Sequence, residues 1–171
     1  MATAAGSGTR RGAARLGVDT YDRLLAAGAA LLLVIVLVAL ARGHAHWGAV
    51  PALVWAHLAT IVIALALTPP MLLRRRGDAR HRRLGRVWML TMIGTAALSF
   101  GVRVTHPGHF SMVHLLSLFT LLMAPWAWWL AATHRIAAHR RAVRGLVTGA
   151  LLIAGFFTLP FGRMLGRWLF G

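Results

Sequence analysis

The chain has 171 residues, 58% of them hydrophobic, with a mean hydropathy of +0.69, which sets it apart from an ordinary soluble domain and points to a membrane protein. Its nineteen basic residues are all arginine and face only three acids, for a formal net charge of +16. Cysteine is absent, which excludes disulfides, iron–sulfur clusters and thiol chemistry.

Residues 1–20 are rich in Gly, Ala, Ser, Thr and Arg and read as a disordered N-terminus, leaving 21–171 as a single transmembrane domain. A criterion of about 20 apolar residues per crossing gives five spans, at 24–41, 50–73, 87–102, 112–133 and 143–161. The third and fifth runs are short. Their helices are expected to begin earlier, because the arginines just before them can lay their stems along lipid while the guanidinium stays in the headgroups. Backbone amides in lipid need internal partners, so the spans are helices. The expected fold is all-α with five transmembrane helices: a four-helix core of spans two to five, and the first helix peripheral to it. The first run follows Arg10-Arg11 and ends in Ala39-Leu40-Ala41, the outline of a cleaved export signal. It is longer than the about 7–15 apolar residues of such signals, so we read it as retained.

Arginine distribution orients these spans. Four arginines precede the first span, seven lie in the second connection and four in the fourth, against one, one and two on the other side. The positive-inside rule then places the N-terminus in the cytoplasm and the C-terminus outside. The arginine-rich inner loops are expected to meet anionic lipid headgroups. They are split among loops instead of forming one patch, which argues against nucleic acid.

Acids are informative by their scarcity. Asp19, Asp22 and Asp78 all read as lying outside the spans, and there is no Glu. Ion-coupled transport commonly needs intramembrane carboxylates, and carboxylate-based hydrolysis has no residues to use. No reaction follows from the sequence. Histidine, with nine copies, is the one abundant ligand.

Sorted by depth, four histidines pair. His57 in the second span lies about 25 Å along a helix from Arg74, and His114 in the fourth about 30 Å from His134, at 1.5 Å per residue. His81 and His139 precede the third and fifth spans, each about 33 Å from the far end of its helix at Arg103 or Phe161. An unbroken helix through Leu84 and Gly85 would set His81 on the face of Thr95 and Ser99. Facing imidazoles at one level of a bundle are the arrangement that ligates haem b. The expectation is an outer haem on His57 and His114 and an inner one on His81 and His139, the propionates of the latter meeting Arg82, Arg86 or Arg140.

The remaining signals are weaker. His44 and His46, and His106 and His109, fall in loops and are candidate ligands for copper or zinc, at spacings unlike those of a metal-peptidase helix. Trp88, Trp126, Trp128 and Trp129 on one side and Trp47 and Trp55 on the other read as interfacial belts. Gly145 and Gly149 permit close helix contact, and Pro69, Pro70 and Pro125 should bend or end helical turns.

Three stretches carry a resemblance: His81-Arg82-Arg83-Leu84-Gly85-Arg86-Val87-Trp88 after the span bearing His57, His139-Arg140-Arg141 before the last span, and Phe157-Thr158-Leu159-Pro160-Phe161-Gly162-Arg163 followed by Leu165-Gly166. With these the chain resembles, over residues 51–171, the bacterial membrane family called domain of unknown function 2306, with the first helix as an addition. The resemblance implies a multi-pass protein of the bacterial cytoplasmic membrane and names no activity. In arrangement alone, without a shared motif, the paired histidines also resemble those of two-haem transmembrane cytochromes b that carry electrons from ascorbate to ferric iron. The first functional reading is therefore a b-type haem electron carrier. The alternatives are a non-enzymatic membrane subunit or assembly factor, and a small-solute permease that uses histidine.

Overall fold

The computed structural model describes residues 17–102, 112–160 and 162–171, and these are helical throughout their ordered elements. Helix α1 spans Thr20–Arg42 and begins at a reciprocal cap: the Asp19 carboxylate accepts from Asp22 N (3.0 Å), and the Asp22 carboxylate from Asp19 N (3.2 Å). Two orphan donors of the first turn are thereby satisfied. The helix is apolar all round, as suits one face on protein and the other on lipid. Leu25, Ala29, Leu32 and Val36 are buried, while Leu24, Leu31, Val34 and Val38 are exposed.

A 3-10 turn at His44–Ala49 leads into α2, Ala52–Leu72. Trp47 donates to Leu40 O and stands edge-on to Trp55, with centroids 5.2 Å apart. Helix α3, Ala79–Ser99, starts where the Asp78 side chain caps His81 N and runs unbroken through Gly85. The cap places its start eight residues before the apolar run at 87, as the arginine-snorkelling argument anticipates. Helix α4 is Met112–Ala132 and passes through Pro125, whereas α2 ends within a turn of Pro69 and Pro70. The turn after α4 puts His134 at φ 57°, a left-handed conformation rare outside Gly, and lets Arg135 N reach Leu130 O (2.9 Å).

From there the chain runs continuously through α5 (Ile136–Gly145), a π-helical stretch (Leu146–Ile153) and the single turn α6 (Ala154–Phe156). A short α7, Met164–Phe170, follows a turn in which Gly162 takes φ 67°.

Each long helix packs on the next in sequence, and the π-helical stretch and α7 return to pack on α1. The helix expected outside a four-helix core instead closes a ring, because small residues on its buried face, Ala26, Ala29 and Ala39, allow close approach. Among the described residues three helices, not five, are long and apolar enough to cross a membrane: α1, α2 and His114–Ala132 of α4. Helix α3 and the 136–156 segment have comparable length but open with charged turns, which lowers their hydropathy.

Candidate functional site: an arginine-lined cavity with two histidines

At the end of the ring where α1, α3 and α5 begin, a cavity of about 240 Å³ opens between the helices. Its walls are apolar, with Met71, Trp88, Met89, Trp128 and Val143, and its rim carries Arg76, Arg82, Arg86, Arg140 and Arg144. His81 and His139 both line it, so the structure brings this predicted pair to one site from two different helices.

Asp22 organises the rim. Its side chain is 0% exposed although it sits in the first turn of α1. It accepts from Arg76, from Arg140 Nη2 (2.7 Å) and from Arg144 Nε and Nη2 (3.0 and 2.9 Å). Asp19 adds ion pairs to Arg140 and Arg144, and the Arg144 guanidinium lies 5.1 Å above the Tyr21 ring, whose hydroxyl meets Thr148 Oγ1 at 3.0 Å. Asp22 thus belongs to the buried interior of the bundle instead of lying outside it. Nothing local in the sequence marks this role, since a carboxylate just before an apolar run gives only its place at the edge of a span.

Of the two histidines, His139 is held by backbone. His139 Nδ1 donates to Ala127 O (2.9 Å), which fixes the tautomer and leaves Nε2 as the acceptor. His81 Nδ1 is buried without a hydrogen-bond partner among the described residues. Arg140 Nε is likewise buried without one. Unsatisfied buried polar atoms are rare and ask for an explanation. Here both belong to residues that line the same cavity.

Both imidazoles precede the apolar stretches of their helices, and burial, foremost, holds each below its ordinary value of about 6.5. For His81 the neighbouring His139 and Arg76 push the same way, against the nearby Met71 backbone and Asp78. For His139 the Ala127 bond opposes burial, while Arg76 reinforces it. A depressed folded value means the unfolded chain takes the proton first. Stability from these groups is therefore full above about pH 6.5 and falls as pH drops below it. Asp19, lowered by its bond from Arg144, acts only further into the acid range. Unfolding of the haem-free protein followed between pH 8 and 5 should show this decline, and a His81→Gln/His139→Gln variant should flatten it. A wild-type profile that is level across that window would contradict the assignment.

The other candidates lie apart. His57 Nδ1 donates to Thr95 O across the α2–α3 contact (3.0 Å), and His57 lines a second cavity of about 60 Å³. His114 is buried, with its ring 5.8 Å from Phe100, and is not among the residues lining that cavity. His44 turns its Nδ1 to Ala41 O, and both His44 and His46 are exposed. His106 and His109 lie outside the described residues. No group of three or more metal-binding side chains forms among the described residues. At the end bearing the arginine-lined cavity, Trp126 stacks on Trp129 with centroids 4.8 Å apart and Arg135 sits over Trp129, as an interfacial anchor would.

A ring of helices, three of them long and apolar enough to cross a bilayer, is the architecture of a multi-pass membrane protein. No family model, curated protein or solved structure matches the chain, so the resemblance to domain of unknown function 2306 gains no support from a family match.

Proposed function

We propose that the protein crosses the bacterial cytoplasmic membrane five times, with its arginine-rich end in the cytoplasm, and binds haem b between His81 and His139 as an electron carrier. The observation that carries this reading is one cavity lined by both histidines, two of whose lining residues bury an atom, His81 Nδ1 and Arg140 Nε, with no partner among the described residues. Helix α3 and the 136–156 segment would each span about 30 Å at 1.5 Å per residue, enough to cross, with their first-turn arginines in the headgroups. Fifteen of nineteen arginines then face the cytoplasm and its anionic lipids.

The residues suit the group chemically. Imidazole is the axial ligand of b-type haem, and a ligating histidine ordinarily donates its other nitrogen to a carbonyl, as His139 does to Ala127. Arg82 and Arg86 line the same cavity and would pair with the propionate carboxylates, beside the apolar Trp88, Met89 and Trp128. The cavity's 240 Å³ falls below the about 300 Å³ at which ordinary ligand pockets begin, so a macrocycle the size of haem enters only if α3 and α5 part. When bound, haem b supplies a one-electron couple. The chain's part is to hold the imidazoles, balance charge through Asp22 and exclude water.

The test is the visible spectrum of protein purified in mild detergent, before and after dithionite. We expect a Soret band with sharp reduced α and β bands, about one haem per chain, and loss of colour in His81→Ala and His139→Ala but not in the exposed His134→Ala. A ratio of two would extend the reading to His57 and His114. A colourless protein that takes up no added haem would sink it. The second reading, a non-enzymatic membrane subunit, is favoured by the backbone bonds of His57 and His139, which also suit packing histidines. Intact partner binding in a colourless protein would support it.

A further inference from the structure

The smaller cavity lies inside the ring, away from the arginine-lined one, and its lining is unusual for the interior of an apolar bundle. His57 of α2, Thr95 and Ser99 of α3, Ser117 and Thr120 of α4, and Thr158 after α6 all contribute to it. Among the described residues lining it, His57 alone titrates and none is charged. We propose that this chamber holds a small cluster of ordered water molecules, bonded to the Thr95 hydroxyl and to His57 Nε2, so that His57 exchanges protons with water from within the bundle.

The hydrogen-bond inventory supports the assignment. The Thr95 hydroxyl is buried with no partner among the described residues, although its own carbonyl accepts from His57. That bond fixes the proton on Nδ1 and leaves Nε2 as an acceptor. Thr120 and Thr158 donate to the local carbonyls of Leu116 and Gly155, and so turn oxygen lone pairs, not protons, to any further partner. A donor and several acceptors around one space are what a water needs, with two to four bonds each. The volume agrees: about 60 Å³ is room for a few waters at about 10–15 Å³ apiece, and is well short of the about 300 Å³ of an ordinary organic ligand's pocket.

The backbone makes the space. The π-helical stretch and α6 present Ala150, Leu151, Ala154 and Gly155 to the chamber, three of them small. A π-helical turn widens a helix locally, and such turns recur at functional sites. The proposal stands whether or not haem binds between His81 and His139.

Water-edited solid-state NMR of the labelled full-length chain in lipid bilayers tests it directly. We expect Thr95 and His57 side-chain signals to build up from water several-fold faster than those of Thr68, which is buried with its bonds satisfied. Build-up at Thr95 as slow as at Thr68 would show a dry chamber and overturn the proposal. A His57 Nε2 shift typical of a metal-bound nitrogen would overturn it too, by assigning the space to a haem. An Ala154→Leu variant, which fills the chamber without removing a hydroxyl, should abolish the fast build-up at Thr95. Fast build-up that survives in a folded Ala154→Leu protein would place the water elsewhere and count against the chamber.

Discussion

Replacing Asp22 with Ala will destabilise the protein by about 3–5 kcal/mol, the range for removing one partner of a buried ion pair and leaving the other charge uncompensated. Three guanidinium groups converge on this carboxylate, from the α2–α3 connection and from α5. Without it Arg76, Arg140 and Arg144 repel one another across a few ångströms, and only the partly exposed Asp19 remains nearby. The first turn of α1 also loses half of its reciprocal cap. Asp22→Asn should cost less, since the amide oxygen still accepts from one guanidinium. The half-exposed Arg74–Asp78 pair, four residues apart at the start of α3, should matter far less when Arg74 is replaced. Equilibrium unfolding in detergent micelles, followed by helical circular dichroism, measures all three. An Asp22→Ala effect no larger than that of Arg74→Ala would show that the convergence carries no stability.

This ring closure is what the sequence conveyed least. The apolar runs at 24–41, 50–73 and 112–133 are legible as crossing helices, because length and hydropathy alone decide them. Equal spacing from the helix ends put His81 and His139 at matching depths, and the two do line one cavity. Three things were out of reach. The role of Asp22 depends on arginines 54, 118 and 122 residues away. The position of α1 depends on which small residues meet across the α1 contacts with α2 and the π-helical stretch, and hydropathy is blind to that. The π-helical stretch has no compositional marker: Leu146–Ile153 reads as ordinary apolar helix, yet its backbone lines the second cavity. For the same reason His57 and His114 matched in depth without lining a common cavity, as depth constrains position along an axis and not rotation about it.

Trp88→Ala should cost about 3–5 kcal/mol, as large aromatic truncations in close-packed interiors do. Trp88 is 0% exposed, and its Nε1 donates to Thr68 Oγ1 (2.8 Å), which in turn donates to Ala64 O (2.7 Å). In a bilayer the loss cannot be a simple transfer penalty, because lipid is as apolar as the ring's surroundings. It comes from lost dispersion contacts and from an opened space that neighbouring helices close only in part. The hydrogen bond is the smaller share: Trp88→Phe keeps most of the packing and should cost well under half as much, and interhelical bonds of this kind average about 0.6 kcal/mol. A double-mutant cycle of Trp88→Phe with Thr68→Val isolates the bond, and a coupling above about 2 kcal/mol would reverse the order of the two contributions. Since Trp88 also walls the arginine-lined cavity, the alanine variant enlarges the site between His81 and His139. If that site takes up haem, Trp88→Ala should retain binding stoichiometry while releasing haem faster, which separates a wall residue from the ligands themselves.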